Sequence, residues 1–291
     1  MTRIVFLAFG PRTDLYTQIY FALRSAQRWG EGNYKVTVLT DKPEFMSVLT
    51  EDIELIELAS ETLQEWRGEH DFMWRIKMKA IEHVARLHPD DHVLYFDSDV
   101  VIGKSLDSMI HRMDEGACFM HMAEKVISES TSSKDKRLYQ ALEGFEHLPY
   151  KFSEATRMYN AGVIGAPAGK SIELLANAIV LCDALCHTSA DKTYLEQLAF
   201  SMAFSQTGKL TTAEDTVIHY WGNKDHWNHV IEQYLLECRL KQLSKAQEIE
   251  LMQNINFEEI PYYHRIQATN RRLKKLVDKC FPKERKTYFR N

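Results

Sequence analysis

Cysteine is scarce in this 291-residue chain: five residues, an odd number, at Cys118, Cys182, Cys186, Cys238 and Cys280. A chain of this length does not depend on a disulfide framework. Cys182 and Cys186 have no second Cys/His pair at zinc-finger spacing, so the reading is free thiols in a reducing compartment. Glycine (12) and proline (7) are also few, which speaks against long disordered linkers. No run of 18 apolar residues occurs, and the apolar run at 4–9 is too short for a signal-peptide core or a bilayer span. These absences predict a soluble, cytoplasmic protein. A net charge of −5 argues against a general nucleic-acid binder. No G-x-G-x-x-G follows the first predicted strand, so a dinucleotide site is not supported.

What remains is the composition of a folded enzyme-sized domain: 45% hydrophobic, 26% charged and 11% aromatic residues. Residues 4–9 form a continuous apolar run closed by Gly10-Pro11, the pattern of a strand buried on both faces. Leu15, Ile19, Ala22, Leu23 and Ala26 then share one helical face. Residues 34–39 read as a second strand closed by Thr40-Asp41, and 53–58 as a strand near an edge. A helix over 71–87 carries the stripe Phe72, Ile76, Ala80, Val84 and Leu87. Residues 92–102 read as one central strand, with further strands at 117–122, 158–166 and 216–221. Helices are predicted at 134–143, 169–187 and 192–206. Alternating strands and helices predict an α/β fold with a mainly parallel, mixed Rossmann-like sheet flanked by helices. The expected division is a catalytic domain over 1–228 and a helical, basic C-terminal extension over 229–291.

The central strand carries the chemistry. Asp97 and Asp99 stand one residue apart after the apolar run Val93-Leu94-Tyr95-Phe96. Alternation along a strand would point both carboxylates the same way. Two like charges brought together out of water cost several kcal/mol, about the penalty of burying unpaired polar groups. A divalent cation removes that penalty, and hard oxygen ligands suit Mg²⁺ or Mn²⁺, ions that also bind a diphosphate.

This segment resembles the D-x-D motif of GT-A-fold glycosyltransferases, and scattered further matches over 1–228 are most similar to the family-eight retaining type. Tyr159-Asn160-Ala161-Gly162-Val163 is similar to that family's F-N-[AS]-G-V block. The resemblance implies that Asn160 and the backbone at Ala161 and Gly162 bind the donor sugar. Glu196-Gln197 matches its Asp/Glu-Gln pair, whose Gln faces the reacting sugar carbon; Asn160, Glu196 and Gln197 are therefore the candidate catalytic residues. His219-Tyr220-Trp221-Gly222 and Trp227 fall in register with H-[FY]-x-G-x-x-K-P-W. By that likeness His219 joins Asp97 and Asp99 as a metal ligand, and Gly222 and Lys224 contact the donor. Lys224 comes one residue early, and Asp225-His226 stand where Lys-Pro is the family pattern.

Position in the resembled fold adds candidates for the nucleotide: Phe9, Gly10 and Tyr16 around the base, Asp41 near base or ribose, and Ser98 within the D-x-D. Arg75, Lys77 and Lys79 flank the apolar stripe of their helix, with Arg75 and Lys79 the candidates for a phosphate contact. The implied activity is metal-dependent transfer of a hexose or N-acetylhexosamine from a nucleotide-sugar, UDP-sugar favoured, to a glycan, lipid-linked or protein hydroxyl. Retention is implied by the family. An inverting enzyme would need a base, for which Glu214 or Asp215 is placed. Rival readings are a haloacid-dehalogenase-like phosphatase with Asp97 as nucleophile, a sugar nucleotidyltransferase, and a non-catalytic sugar binder. Residues 261–291 hold ten Lys/Arg against two acids, leaving the rest of the chain at −13 within an overall −5. Interleaved with aromatic and aliphatic residues, that tail is either a peripheral contact for an anionic membrane or a solvated helix on the acidic domain.

Overall fold

The computed structural model describes residues 1–30, 32, 34–263, 273, 276, 277 and 279–281. β1 (Thr2–Ala8) is buried along its whole length, as its unbroken apolar run requires. Gly10, at φ +84°, turns the chain toward α1 (Thr13–Gln27). There follow β2 (Tyr34–Thr40), β3 (Glu54–Glu57), α2 (Ser60–Trp66), α3 (Met73–Leu87), β4 (His92–Phe96) and β5 (Val100–Ile102). Next come α4 (Asp107–Asp114), β6 (Cys118–Met120), β7 (Ala123–Val126), α5 (Ser133–Leu142), and the short strands β8 (Glu146–His147), β9 (Tyr150–Lys151) and β10 (Arg157–Tyr159). The chain continues through β11 (Val163–Ala166), α6 (Ser171–Cys186), α7 (Leu195–Ser205), β12 (Leu210–Thr212), β13 (Val217–His219), α8 (Lys224–Leu240) and α9 (Lys245–Gln253).

Seven strands form the main sheet in the order β12-β6-β11-β4-β1-β2-β3. Only β11 runs antiparallel to its neighbours, β4 and β6; every other pair in this sheet is parallel. β3 is one of the two edge strands, in keeping with its alternating sequence. Val5, Leu7, Val93 and Tyr95 face α3, α6 and α7 on one side. Ile4, Phe6, Leu94 and Phe96 face α1 and α4 on the other. Each such side chain, taken fully from water, contributes about 1.5–3 kcal/mol. A third cluster joins α8 and α9 to the outside of α1 through Phe21, Tyr234, Ile231, Met252 and Phe257.

Two predicted strands are broken. Residues 92–102 divide into β4 and β5 around a turn at Asp97-Ser98-Asp99, and β5 leaves the main sheet to pair with β13. Residues 158–166 divide into β10 and β11 around Asn160-Ala161-Gly162. In both places the polar residues sit at the interruption. α8 begins at Lys224 and is anchored by Trp227, which stacks on Tyr220 at 4.7 Å between ring centroids. Most of the basic stretch, and with it the expected membrane contact, lies outside the described residues. Among those described, no helix is long and apolar enough to cross a membrane.

Candidate functional site

Two antiparallel registers assemble the site. β13 pairs with β5 so that His219 lies opposite Val100, next to Asp99, and the Tyr220 N–H donates to the Asp99 carbonyl at 3.1 Å. β11 pairs with β4 so that Val163 lies opposite Phe96, and the Asp97 N–H donates to the Gly162 carbonyl at 2.9 Å. Segments more than 60 residues apart in sequence are thereby held against one turn.

His219 Nε2 lies 3.4 Å from Asp99 Oδ2 and 3.9 Å from Asp97 Oδ2. One ligand atom from each of the three residues falls within 4.8 Å of the others. Asn160 Oδ1 accepts the Gly162 N–H at 2.9 Å and stands 2.9 Å from His219 Nδ1. That oxygen can only accept, so Nδ1 carries a proton and Nε2 is the atom turned toward the two carboxylates. His219 also explains Gly162: a Cβ there would lie 2.2 Å from His219 Nδ1. The glycine admits the imidazole. His121 packs edge to face on His219 at 5.2 Å. Burial first, then the neighbouring His219, lowers the His121 pKa to about 4, so it adds no charge near neutral pH.

Lys77 is the hub of the floor. Its buried Nζ donates to the Ala161 carbonyl at 2.7 Å and pairs with Glu196 Oε1 at 3.0 Å and Asp97 Oδ1 at 3.2 Å. Burial works to lower the Lys77 pKa, but Asp97 and Glu196 outweigh it and raise it. Burial pushes the Glu196 carboxyl up against the pull of Lys77. Burial also works to raise Asp99, yet His219 and Lys224, whose Nζ is 2.7 Å from Oδ2, hold it well below the ordinary carboxylate value. Three carboxylates, Asp97, Asp99 and Glu196, thus face two ammonium groups, Lys77 and Lys224. Asp99 Oδ2 is buried and receives no well-directed hydrogen bond. An acidic excess, hard oxygens and an imidazole nitrogen facing them fit a divalent cation such as Mn²⁺ or Mg²⁺.

A cavity of about 500 Å³ opens over this cluster. Of the residues singled out in the sequence, Phe9, Asp97, Ser98, Asp99, Asn160, Ala161, Gly162, Glu196, Gln197, His219 and Lys224 line it. Gln197 is oriented by Glu124, which accepts from its amide at 3.1 Å and from that of Asn160 at 3.2 Å. Lys224 reaches the site despite its one-residue offset, because it opens α8 directly after the His219 strand.

Other candidate residues lie outside the cavity. Arg75 is bound bidentately to Asp183 at 2.7 and 2.9 Å, tying α3 to α6. Lys79 pairs with Glu82. The basic residue of α3 in the cavity is Lys77, between them in sequence. A signal existed: Ala80, Ile81 and Val84 follow Lys77 at i+3, i+4 and i+7, placing it on the buried stripe. Asp41 takes the Gly10 N–H on both oxygens at 3.0 and 3.1 Å, and the Tyr16 hydroxyl donates to the Gly10 carbonyl at 3.1 Å. Tyr16 is buried, with its pKa raised to about 12 by burial first, so its ring is no stacking platform. Gly10, Tyr16 and Asp41 brace the loop that carries Phe9 and Arg12 rather than line the cavity. Gly222 abuts Tyr263, whose ring a Cβ would meet at 2.1 Å. Glu214 and Asp215 lie off the cavity, beside Thr212 and Thr216. Sequence reasoning missed Arg12, Tyr95, Trp74, Tyr194 and Trp221 among the lining residues. A larger cleft of about 1040 Å³ lies between α1, α8 and residues 45–52. Its buried charges, Arg24 with Asp52 and Glu248, are paired with one another.

No protein-family model and no curated protein matches the chain by sequence. Solved structures do match by shape. The apo structure of WbbM, a bifunctional glycosyltransferase, superposes with a TM-score of 0.50 at 14% identity, covering 72% of this chain and 38% of that one. The galactosyltransferase LgtC, in complex with donor and acceptor sugar analogues, gives 0.45 at 12% identity, over 72% of this chain and 73% of that one. The glycosyltransferase GlyE of Streptococcus pneumoniae gives 0.46 at 15% identity, over 92% and 55%. The chain therefore has the GT-A fold, although it spans well under half the length of WbbM.

Proposed function

We propose that this protein is a metal-dependent glycosyltransferase that moves a hexose or N-acetylhexosamine from a nucleotide-diphosphate sugar, UDP-sugar favoured, to a glycan hydroxyl. The observation that carries the proposal is the convergence of Asp97, Asp99 and His219, beside Lys224, at the floor of one cavity. A fold shared with a glycosyltransferase supports it. Asp97, Asp99 and His219 would hold a divalent ion, which would supply positive charge for the departing diphosphate. Lys224 and Arg12 stand on the same cavity wall and would contact the phosphates. Asn160 and Gln197, held in place by Glu124, present amide groups to the sugar. Phe9 and Ser98 line the same space on the nucleotide side. Trp74 and Trp221, both about half exposed at 52% and 47%, offer flat apolar faces on which an acceptor pyranose can stack.

Retention of configuration fits the carboxylate inventory. Asp97, Asp99 and Glu196 are the acidic residues lining the cavity, and all three are engaged with Lys77, Lys224 or His219. None is free as the opposite-face base that inversion needs. In the retaining reaction the bond from the anomeric carbon to the diphosphate oxygen breaks. The acceptor oxygen bonds to that carbon on the same face, and its proton passes to a leaving phosphate oxygen. The test is a thermal-shift panel of nucleotides and nucleotide-sugars with and without Mn²⁺. A Mn²⁺-dependent shift with one nucleoside diphosphate and its sugar is expected; no shift across the panel overturns the reading.

A further inference from the structure

Glu69, His70 and His187 form a second group of metal-ligating side chains, and none of them lines the cavity. Glu69 Oε1 lies 3.1 Å from His70 Nε2 and 3.0 Å from His187 Nε2. The two rings meet edge to face at 4.4 Å. Two atoms each bound at about 2.1 Å to one metal are about 3.0 Å apart at a right angle and about 3.4 Å apart at the tetrahedral angle. Both spacings therefore suit a common coordination shell. Hydrogen bonding accounts for them less well: a single carboxylate oxygen would take both N–H groups, and the buried His70 Nε2 has no well-directed partner.

The backbone presents these ligands deliberately. His70 sits in the connection between α2 and α3, where Gly68 (φ +66°) and Asp71 (φ +46°) adopt left-handed conformations. Lys192 Nζ donates to the His70 carbonyl at 2.9 Å. His187 is the residue that closes the C-terminus of α6. Glu69 and His187 are exposed, so an ion can enter from solvent.

We propose that Glu69, His70 and His187 are a second metal site, one that takes a borderline transition ion such as Zn²⁺ or Ni²⁺ and clasps the turn before α3 to the end of α6. Two imidazoles and one carboxylate select such an ion, with water completing its shell, whereas the paired aspartates of the cavity suit a harder one. The chain leaves the clasp into Met73 and Trp74 on one side and approaches Thr193 and Tyr194 on the other, and all four line the cavity. Occupancy stiffens that wall and so tunes access to the cavity. The Arg75–Asp183 pair joins the same two helices, so the fold survives an empty clasp.

Equilibrium dialysis of the full chain against Zn²⁺ tests this. Asp99→Asn, which disables the cavity cluster, is expected to keep one zinc per chain and to show a zinc-dependent rise in Tm. Adding His187→Gln lowers zinc affinity at least tenfold while the Tm in EDTA stays unchanged. Zinc binding by Asp99→Asn that is indifferent to His187→Gln, or no binding at all, overturns the proposal. Binding lost in Cys186→Ser but kept in His187→Gln also overturns it, by moving the ion to the thiols. Because zinc binding is read in a protein already lacking Asp99, this outcome is independent of the glycosyltransferase reading.

Discussion

Lys77 and Arg24 are both buried cations set between two carboxylates, yet they do different work. Arg24 Nη1 and Nε donate to Asp52 and Glu248 at 2.8 and 2.7 Å, with Gln27 at 2.7 Å and the Tyr20 hydroxyl at 3.4 Å. Lys245 closes the remaining charge on Asp52, and Tyr20 donates to Glu248 at 2.6 Å. The cluster is neutral and complete, and it pins α9 to α1. Around Lys77 the charges do not close. Asp97 is shared with Tyr95, whose hydroxyl donates to it at 3.0 Å, and it also faces His219. Asp99 faces the Lys224 ammonium and the His219 imidazole, yet its buried Oδ2 receives no well-directed hydrogen bond. A buried cation with two acids is a clamp when every oxygen is satisfied within the protein, and a site when one oxygen is not.

The largest expected effect is on the clamp. Arg24→Met leaves Asp52 and Glu248 facing each other and lowers stability by about 3–5 kcal/mol, measured by urea denaturation, without changing nucleotide affinity in the folded protein. A pH series sharpens this. Burial pushes Asp52 up, but Arg24 and Lys245 hold its carboxyl below the usual range. Its stabilisation is therefore fully present above the unfolded pKa of about 3.9 and is lost as pH falls through the folded value. Arg24→Met flattens that acid limb; an unchanged limb refutes the assignment.

Asp99→Asn has the opposite signature. Sugar transfer with Mn²⁺ drops about 10²–10³-fold, the loss typical of a key electrostatic contact, while the circular dichroism spectrum is preserved. Equal activity would break the contrast between site and clamp. Gly162→Ala comes next, because the added methyl overlaps His219. Apparent Mn²⁺ affinity falls about 10–100-fold, as when a residue that orients a ligand is disturbed, with Asn160 as the remaining guide for the ring. Smallest of all is Lys79→Ala, on the outer face of α3, which changes stability by no more than about 0.5 kcal/mol and leaves activity intact. A large loss there would reinstate Lys79 over Lys77 as the functional lysine.

The carboxylate pair was legible because polar residues after an apolar strand are a local anomaly, and the Tyr159–Val163 and His219–Gly222 blocks were legible through their resemblance to the family's motifs. Their interruption of the strands was not: alternation implies one continuous strand through Asp97 and Asp99, whereas pairing with two different partners bends the chain between them. Tyr16 and Asp41 were assigned to the nucleotide, whereas their hydrogen bonds turn inward to Gly10. Gly162 was assigned to the donor sugar through its backbone, and only the structure shows that its missing side chain admits His219.

The chain's own residues determined the buried first strand, the alternating α/β architecture and the acidic pair, because each is written in spacings of a few residues. Tertiary structure decided which of three basic residues on α3 enters the cavity, which histidine meets the aspartates, and that Glu69 and His70 find His187. Those choices depend on the rotation of a helix against the sheet and on the register of pairings between segments more than 100 residues apart, and no local spacing encodes either.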